Sequence, residues 1–177
     1  LSAREVLFIF YEPEIDSSEL KTAVEALEKT NLIEIELADE LCLFESCFNR
    51  ARRQYEAGCL LDKFRVAAGK LSGKKLWLVS KDLYIPGNNF VFGLAELEGE
   101  LGIVSTIRLK TGALGKPGYF KRLRTEVIHE VFHLLGLGHC SNPYCVMYFS
   151  NSLIDSDRKG EEPCAVCAEK LRLRYGN

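Results

Sequence analysis

Three histidines, a glutamate and two pairs of cysteines carry the chemistry legible in this chain. All the histidines of the 177-residue sequence, His129, His133 and His139, fall within eleven positions. Histidines kept only for packing would not cluster this way. Residues four apart on a helix lie one above the other, so His129 and His133 can reach a single ion. Imidazoles at that spacing suit zinc, and three protein ligands leave a fourth position for water. Glu130 follows the first histidine and points roughly 100° around the helix from it. That direction takes it out of the coordination sphere and toward a water on the open side of the metal. Two close cysteine pairs, Cys140 with Cys145 and Cys164 with Cys167, have the spacing of a closed, tetrahedral zinc site. Spacing alone does not separate zinc from an iron–sulfur cluster, whereas a redox Cys-x-x-Cys would leave the first pair unexplained. The expected cofactors are two zinc ions, one catalytic and one structural.

A three-ligand metal with a glutamate beside it suits amide hydrolysis. Glu130, as general base, takes a proton from the attacking water and passes it to the leaving amine. A peptide bond is the natural substrate class, because its nitrogen needs such a proton to leave. The reading is a zinc-dependent peptidase acting on a peptide or protein. Its alternative is a metal-stabilised binding module with weak or no turnover, in which a protein side chain fills the fourth position.

Several elements must position these groups. Val127, Val131 and Leu134 supply apolar contacts on a helix expected over about 120–135. Gly136 can take the left-handed conformation that ends a helix, so that the chain turns back and His139 reaches the metal. Upstream, EVLFIFY at 5–11 reads as a strand, and Asp16 or Ser17 can cap a helix running to about Thr30. Residues 32–37 alternate with period two, which completes a βαβ opening and predicts a largely parallel sheet. A helix over 57–68 and a strand over 75–80 follow, with Trp77 read as core. Strands at 89–97 and 102–109 are joined by a link too short for a parallel return, so they form an antiparallel hairpin. Residues 45–56 read either as an extended arm with a turn or as a helix. The glycines of 111–119 predict a loop, and irregular chain precedes a last helix near 163–174.

The length fits one domain, and 47% apolar with 27% charged residues is globular composition. A net charge of −2 gives no overall attraction to nucleic acid or to an anionic membrane. The basic groups Arg50, Arg52, Arg53 and Lys121, Arg122, Arg124 read as solvated faces. No apolar stretch approaches the roughly eighteen residues needed to cross a bilayer, and the N-terminal apolar run lacks a cleavage pattern. Of seven cysteines, Cys42, Cys47 and Cys59 remain after the metal set. They read as reduced thiols of a cytoplasmic protein, with secretion and one bridge as the alternative. A monomer without nucleic-acid or membrane partners is expected.

HEVFHLLGLGH, residues 129–139, resembles the metzincin signature. The cysteine directly after the third histidine, with Cys145, Met147, Cys164 and Cys167, narrows the resemblance to the archaemetzincins. Residues 84–95 (YIPGNNFVFGLA) and the approach from Arg122 to Glu126 also resemble that family, so the similarity spans most of the chain. It implies a metzincin-like α/β zincin fold: a twisted, mostly parallel sheet, one antiparallel edge strand and a zinc-binding active-site helix. It also implies His129, His133 and His139 as catalytic-zinc ligands, Glu130 as base and Met147 as the methionine of the Met-turn. A methionine there serves as an adaptable apolar floor. The single domain, 1–177, then divides into an upper part to about 136 and a lower part over about 137–177, stapled by the four-cysteine zinc. Many metzincins carry a small residue before the second histidine. Phe132 stands there instead, which leaves the ligand set unchanged.

Overall fold

A computed structural model of the chain describes residues 5–112 and 115–176. The chain opens with β1 (Val6–Tyr11), α1 (Ser17–Glu28) and β2 (Glu34–Glu40), and β1 runs parallel to β2 as the strand–helix–strand order predicts. Asp16 caps α1. Its carboxylate accepts the Ser18 and Glu19 N–H groups, while Glu19 reaches back to the Asp16 N–H, closing a capping box. A small hairpin of β3 (Phe48–Asn49) and β4 (Gln54–Glu56) leads into α2 (Ala57–Ala67), so residues 45–56 form a folded arm rather than a helix. Then come β5 (Lys74–Val79), β6 (Leu83–Tyr84), β7 (Gly93–Ala95) and β8 (Leu101–Ser105). The helices α3 (Gly115–Leu134), α4 (Leu153–Arg158) and α5 (Ala165–Tyr175) complete the chain.

The main sheet has the order β2-β1-β5-β8-β7, parallel throughout except for β7, which pairs antiparallel with β8 at one edge. A second sheet, β3-β4-β6, stands beside it. Alternation along the central strands sorts side chains into two cores. Leu7, Ile9, Leu76 and Leu78 face α1 and α3, whereas Phe10, Trp77, Val79 and Ile103 face α2. Helices on both faces explain why β5 is buried along its whole length.

Several elements depart from the sequence expectation. α3 starts at Gly115, inside the stretch read as a loop, because Pro117 in a first turn forfeits no intrahelical bond; residues 113 and 114 of that stretch lie outside the described residues. The strands expected over 89–97 and 102–109 shrink to Gly93–Ala95 and Leu101–Ser105. α4 occupies chain expected to be irregular, with the Ser152 hydroxyl accepting the Asp155 N–H at its start. Cys47 and Cys59 are joined in a disulfide, correcting the reading of reduced thiols; a 3-10 turn over Glu45–Cys47 meets the start of α2 and sets their Cα atoms 5.6 Å apart. Cys42 is free and exposed. Arg122 is not solvated either: it is buried, and its guanidinium grips Asp157 through two bonds of 2.6 and 2.7 Å.

Candidate active site

The last turns of α3 carry His129, Glu130 and His133. The helix stops in a Schellman motif: the Leu137 N–H donates to Phe132 O and the Gly136 N–H to His133 O, both at 2.9 Å, with Gly136 at φ 89°. This turn does more than end the helix. It directs the Leu137 carbonyl back to His133 Nδ1, 2.6 Å away, and leads the chain to His139. His129 Nδ1 lies 2.7 Å from the Val146 carbonyl oxygen. A carbonyl can only accept, so both Nδ1 atoms carry the proton and both Nε2 lone pairs are free for a metal.

The three imidazoles converge. Their ligand atoms lie within 4.8 Å of one another, and the His129 and His133 Nε2 atoms are 3.0 Å apart. Zinc bonds of about 2.0–2.1 Å in a tetrahedron need nitrogens about 3.3 Å apart, so the set fits that ion. Among the described residues no fourth side-chain ligand joins it. His139 is exposed and packs on the Phe149 ring, with centroids 4.8 Å apart. Burial of His129 and His133, and partial desolvation of the His139 ring, lower their proton affinity, taking His133 to about 4, so they stand neutral at pH 7. Glu130 is buried too. Burial, then the neighbouring Glu126 carboxylate, push its pKa well up, and Lys159 opposes them.

A second cluster begins at the next residue. The sulfurs of Cys140, Cys145, Cys164 and Cys167 lie within 4.8 Å of one another, with Cys140 Sγ and Cys164 Sγ 3.8 Å apart. A tetrahedron with zinc–sulfur bonds of about 2.3 Å has edges of about 3.8 Å. Backbone N–H groups already point at two of the sulfurs, Asn142 at Cys140 and Cys164 at Cys145, as thiolates require. Cys164, N-cap of α5, is drawn down to about 7, first by the Cys167 N–H. Met147 is fully buried, and its carbonyl accepts the Cys140 N–H at 2.9 Å, tying the segment after Cys145 to the junction of the two clusters.

A family model for peptidase family M54 matches residues 20–173. The chain belongs to that family. It is 43% identical over 129 residues to the archaemetzincin of Archaeoglobus fulgidus, covering 71% of this chain and 74% of that protein. The crystal structure of archaemetzincin from Methanopyrus kandleri superposes with a TM-score of 0.87 at 32% identity over the whole of both chains. A zinc-dependent peptidase from Methanocorpusculum labreanum gives 0.81 at 29% identity, over 93% of this chain and 99% of that one. As a member of M54 the chain is a zinc-dependent peptidase with the zincin-like fold, and its substrates are peptides or proteins.

The histidine cluster opens into a cleft of about 610 Å³ lined by His129, Glu130, His133 and His139. β7 forms part of its border, with Gly93, Leu94 and Ala95. Three cleft features escape a reading of the sequence alone. Gly93 faces Glu130 so closely that an added Cβ would sit 2.6 Å from its Oε1 and 2.8 Å from its Cγ and Cδ. Lys159, without solvent exposure, pairs at 3.1 Å with the buried Glu126 and approaches within 3.5 Å of His129 Nδ1. Ser150 has a buried hydroxyl without a hydrogen-bond partner among the described residues. The only sequence hint was the likeness around residues 84–95; Lys159 sits in a polar run indistinguishable from solvated chain.

Proposed function

We propose that this M54 peptidase works through His129, His133 and His139 as ligands of a catalytic zinc and Glu130 as general base. Cys140, Cys145, Cys164 and Cys167 hold a second, structural zinc in the same reading. The observation that carries it is the shared cleft: three converging imidazoles and the Glu130 carboxylate, next to His129 on α3, border the same open space. Bound zinc supplies Lewis acidity, which lowers the pKa of a water and polarises a carbonyl. Glu130, held against the β7 backbone at Gly93, accepts the water's proton and delivers it to the departing amine nitrogen. β7 ends the sheet beside this space, so an extended peptide can add to its free edge through backbone hydrogen bonds. Met147 serves as the apolar floor, and Gly136 as the turn that brings in His139.

The lower part, from about 137 to 177, is a zinc-stapled lobe of one domain. The protein acts as a monomer in the cytoplasm, without nucleic-acid or membrane partners. Four of the five free cysteines are grouped to bind metal, a use that needs reduced thiols and supports this location, while the Cys47–Cys59 disulfide counts against it. No helix among the described residues is long and apolar enough to cross a membrane. The deciding experiment compares zinc-loaded protein with its Glu130→Ala variant on a peptide library. Cleavage is expected to fall by at least about a hundredfold while zinc content is unchanged. Equal cleavage by both proteins would assign the base elsewhere.

A further inference from the structure

A short flap forms one wall of the cleft. Leaving β6, Ile85-Pro86-Gly87-Asn88 makes a type II turn: the Asn88 N–H donates to Ile85 O at 3.1 Å, and Gly87 takes φ 89° at the third position. The chain returns at Val91, whose N–H donates to Leu83 O at 3.0 Å. Ile85, Phe90 and Val91 line the cleft together with His129 and Glu130. An apolar surface therefore borders the space where the scissile bond must lie.

Residues that do not line the cleft hold the flap. Arg52 Nη2 donates to the carbonyls of both Asn88 and Asn89 at 2.9 Å, and its guanidinium lies 4.3 Å from the Tyr84 ring centroid. Gln54, buried at 5% exposure, donates to Asn89 O at 3.0 Å and to Asp82 at 3.1 Å. Asp82 in turn receives Arg108 through bonds of 2.6 and 2.7 Å, and Arg108 stacks 4.2 Å from the Phe90 ring centroid. The contacts from the arm fall on flap carbonyls, so they fix the backbone whatever side chains it carries. The Cys47–Cys59 disulfide ties the base of the arm to α2.

We infer that the flap over residues 85–91 determines specificity, receiving an apolar substrate side chain against Ile85, Phe90 and Val91, with Arg52 and Arg108 as its positioning residues. This rests on the peptidase reading above. Arg52 is exposed, so its removal leaves the fold intact. The test uses zinc-loaded wild type, Arg52→Ala, Arg52→Lys and Arg108→Ala on peptides varied at one position flanking the scissile bond. In Arg52→Ala, KM for apolar-flanked peptides should rise about tenfold with kcat within about twofold, the signature of lost binding rather than lost chemistry. Zinc content should not change, and amide exchange at 88–91 should accelerate. Arg52→Lys should recover only part of the loss, because an ammonium lacks the planar fork. Arg108→Ala should reproduce the KM effect through Phe90. Wild-type KM and exchange in Arg52→Ala, or cleavage by wild type without apolar preference, would overturn the flap inference alone. Absence of any cleavage by wild type would remove the peptidase reading beneath it.

Discussion

At the scale of single residues, the chemistry depends on a few atoms kept apart or together. Gly93 is one. Its missing Cβ is the room in which the Glu130 carboxylate rests. Gly93→Ala should displace that carboxylate by about 1 Å and lower kcat about a hundredfold, with zinc content retained; steady-state kinetics beside metal analysis checks both halves. Lys159 is another. Breaking a fully buried pair strands the partner charge, so Lys159→Met should cost about 3–5 kcal/mol in denaturant unfolding. The double variant Lys159→Met/Glu126→Leu should regain most of that stability, since an apolar pair of similar volume leaves no charge unpaired. A double variant as unstable as the single one would show that the ammonium matters for more than neutralising Glu126.

At the scale of elements, the junction of His139 and Cys140 couples the end of α3 to the start of α5. The segment between the clusters is held by Cys140 N–H to Met147 O, and the first turn of α5 by the Cys164 N–H to Cys145 Sγ. Cys164→Ser removes a sulfur from the second cluster and loosens α5. Loss of a structural metal should lower Tm by about 10 °C or more in a chain of this size. It should also reduce occupancy of the histidine cluster, because His139 is carried on the same turn. Titrating zinc into the variant checks this: full occupancy of the histidine cluster at wild-type affinity would separate the two sites.

At the scale of the whole molecule, the two proposed metal sites differ in exposure and so predict two stages of metal removal. His139 is exposed on an open cleft, whereas Cys145 and Cys167 are buried. A chelator should first withdraw about one equivalent of zinc and abolish cleavage with circular dichroism unchanged. The second equivalent should leave slowly, together with loss of near-UV signal, since its binding energy is folding energy. A single step, or unfolding with the first equivalent, would contradict this division.

The sequence by itself determined what local geometry can express. Residues i and i+4 share a helix face whatever surrounds them, so the His129–His133 pair was legible, as were the Gly136 turn, the βαβ opening and the antiparallel hairpin of β7 and β8. Capping is equally local: Asp16 marks the start of α1, and Ser152, three residues before Asp155, carries the same signal for α4. Tertiary structure alone decided the groups brought together from distant positions: Gly93 against Glu130, Lys159 beneath His129, Arg52 on Asn88, and Cys47 bonded to Cys59. Each of these is a matter of an ångström between elements whose packing is set by the whole core, and no residue type or spacing encodes such a distance. Arg52 and Lys159 carry the same charge as any solvated lysine or arginine, and only the fold turns one into a clamp and the other into a buried partner.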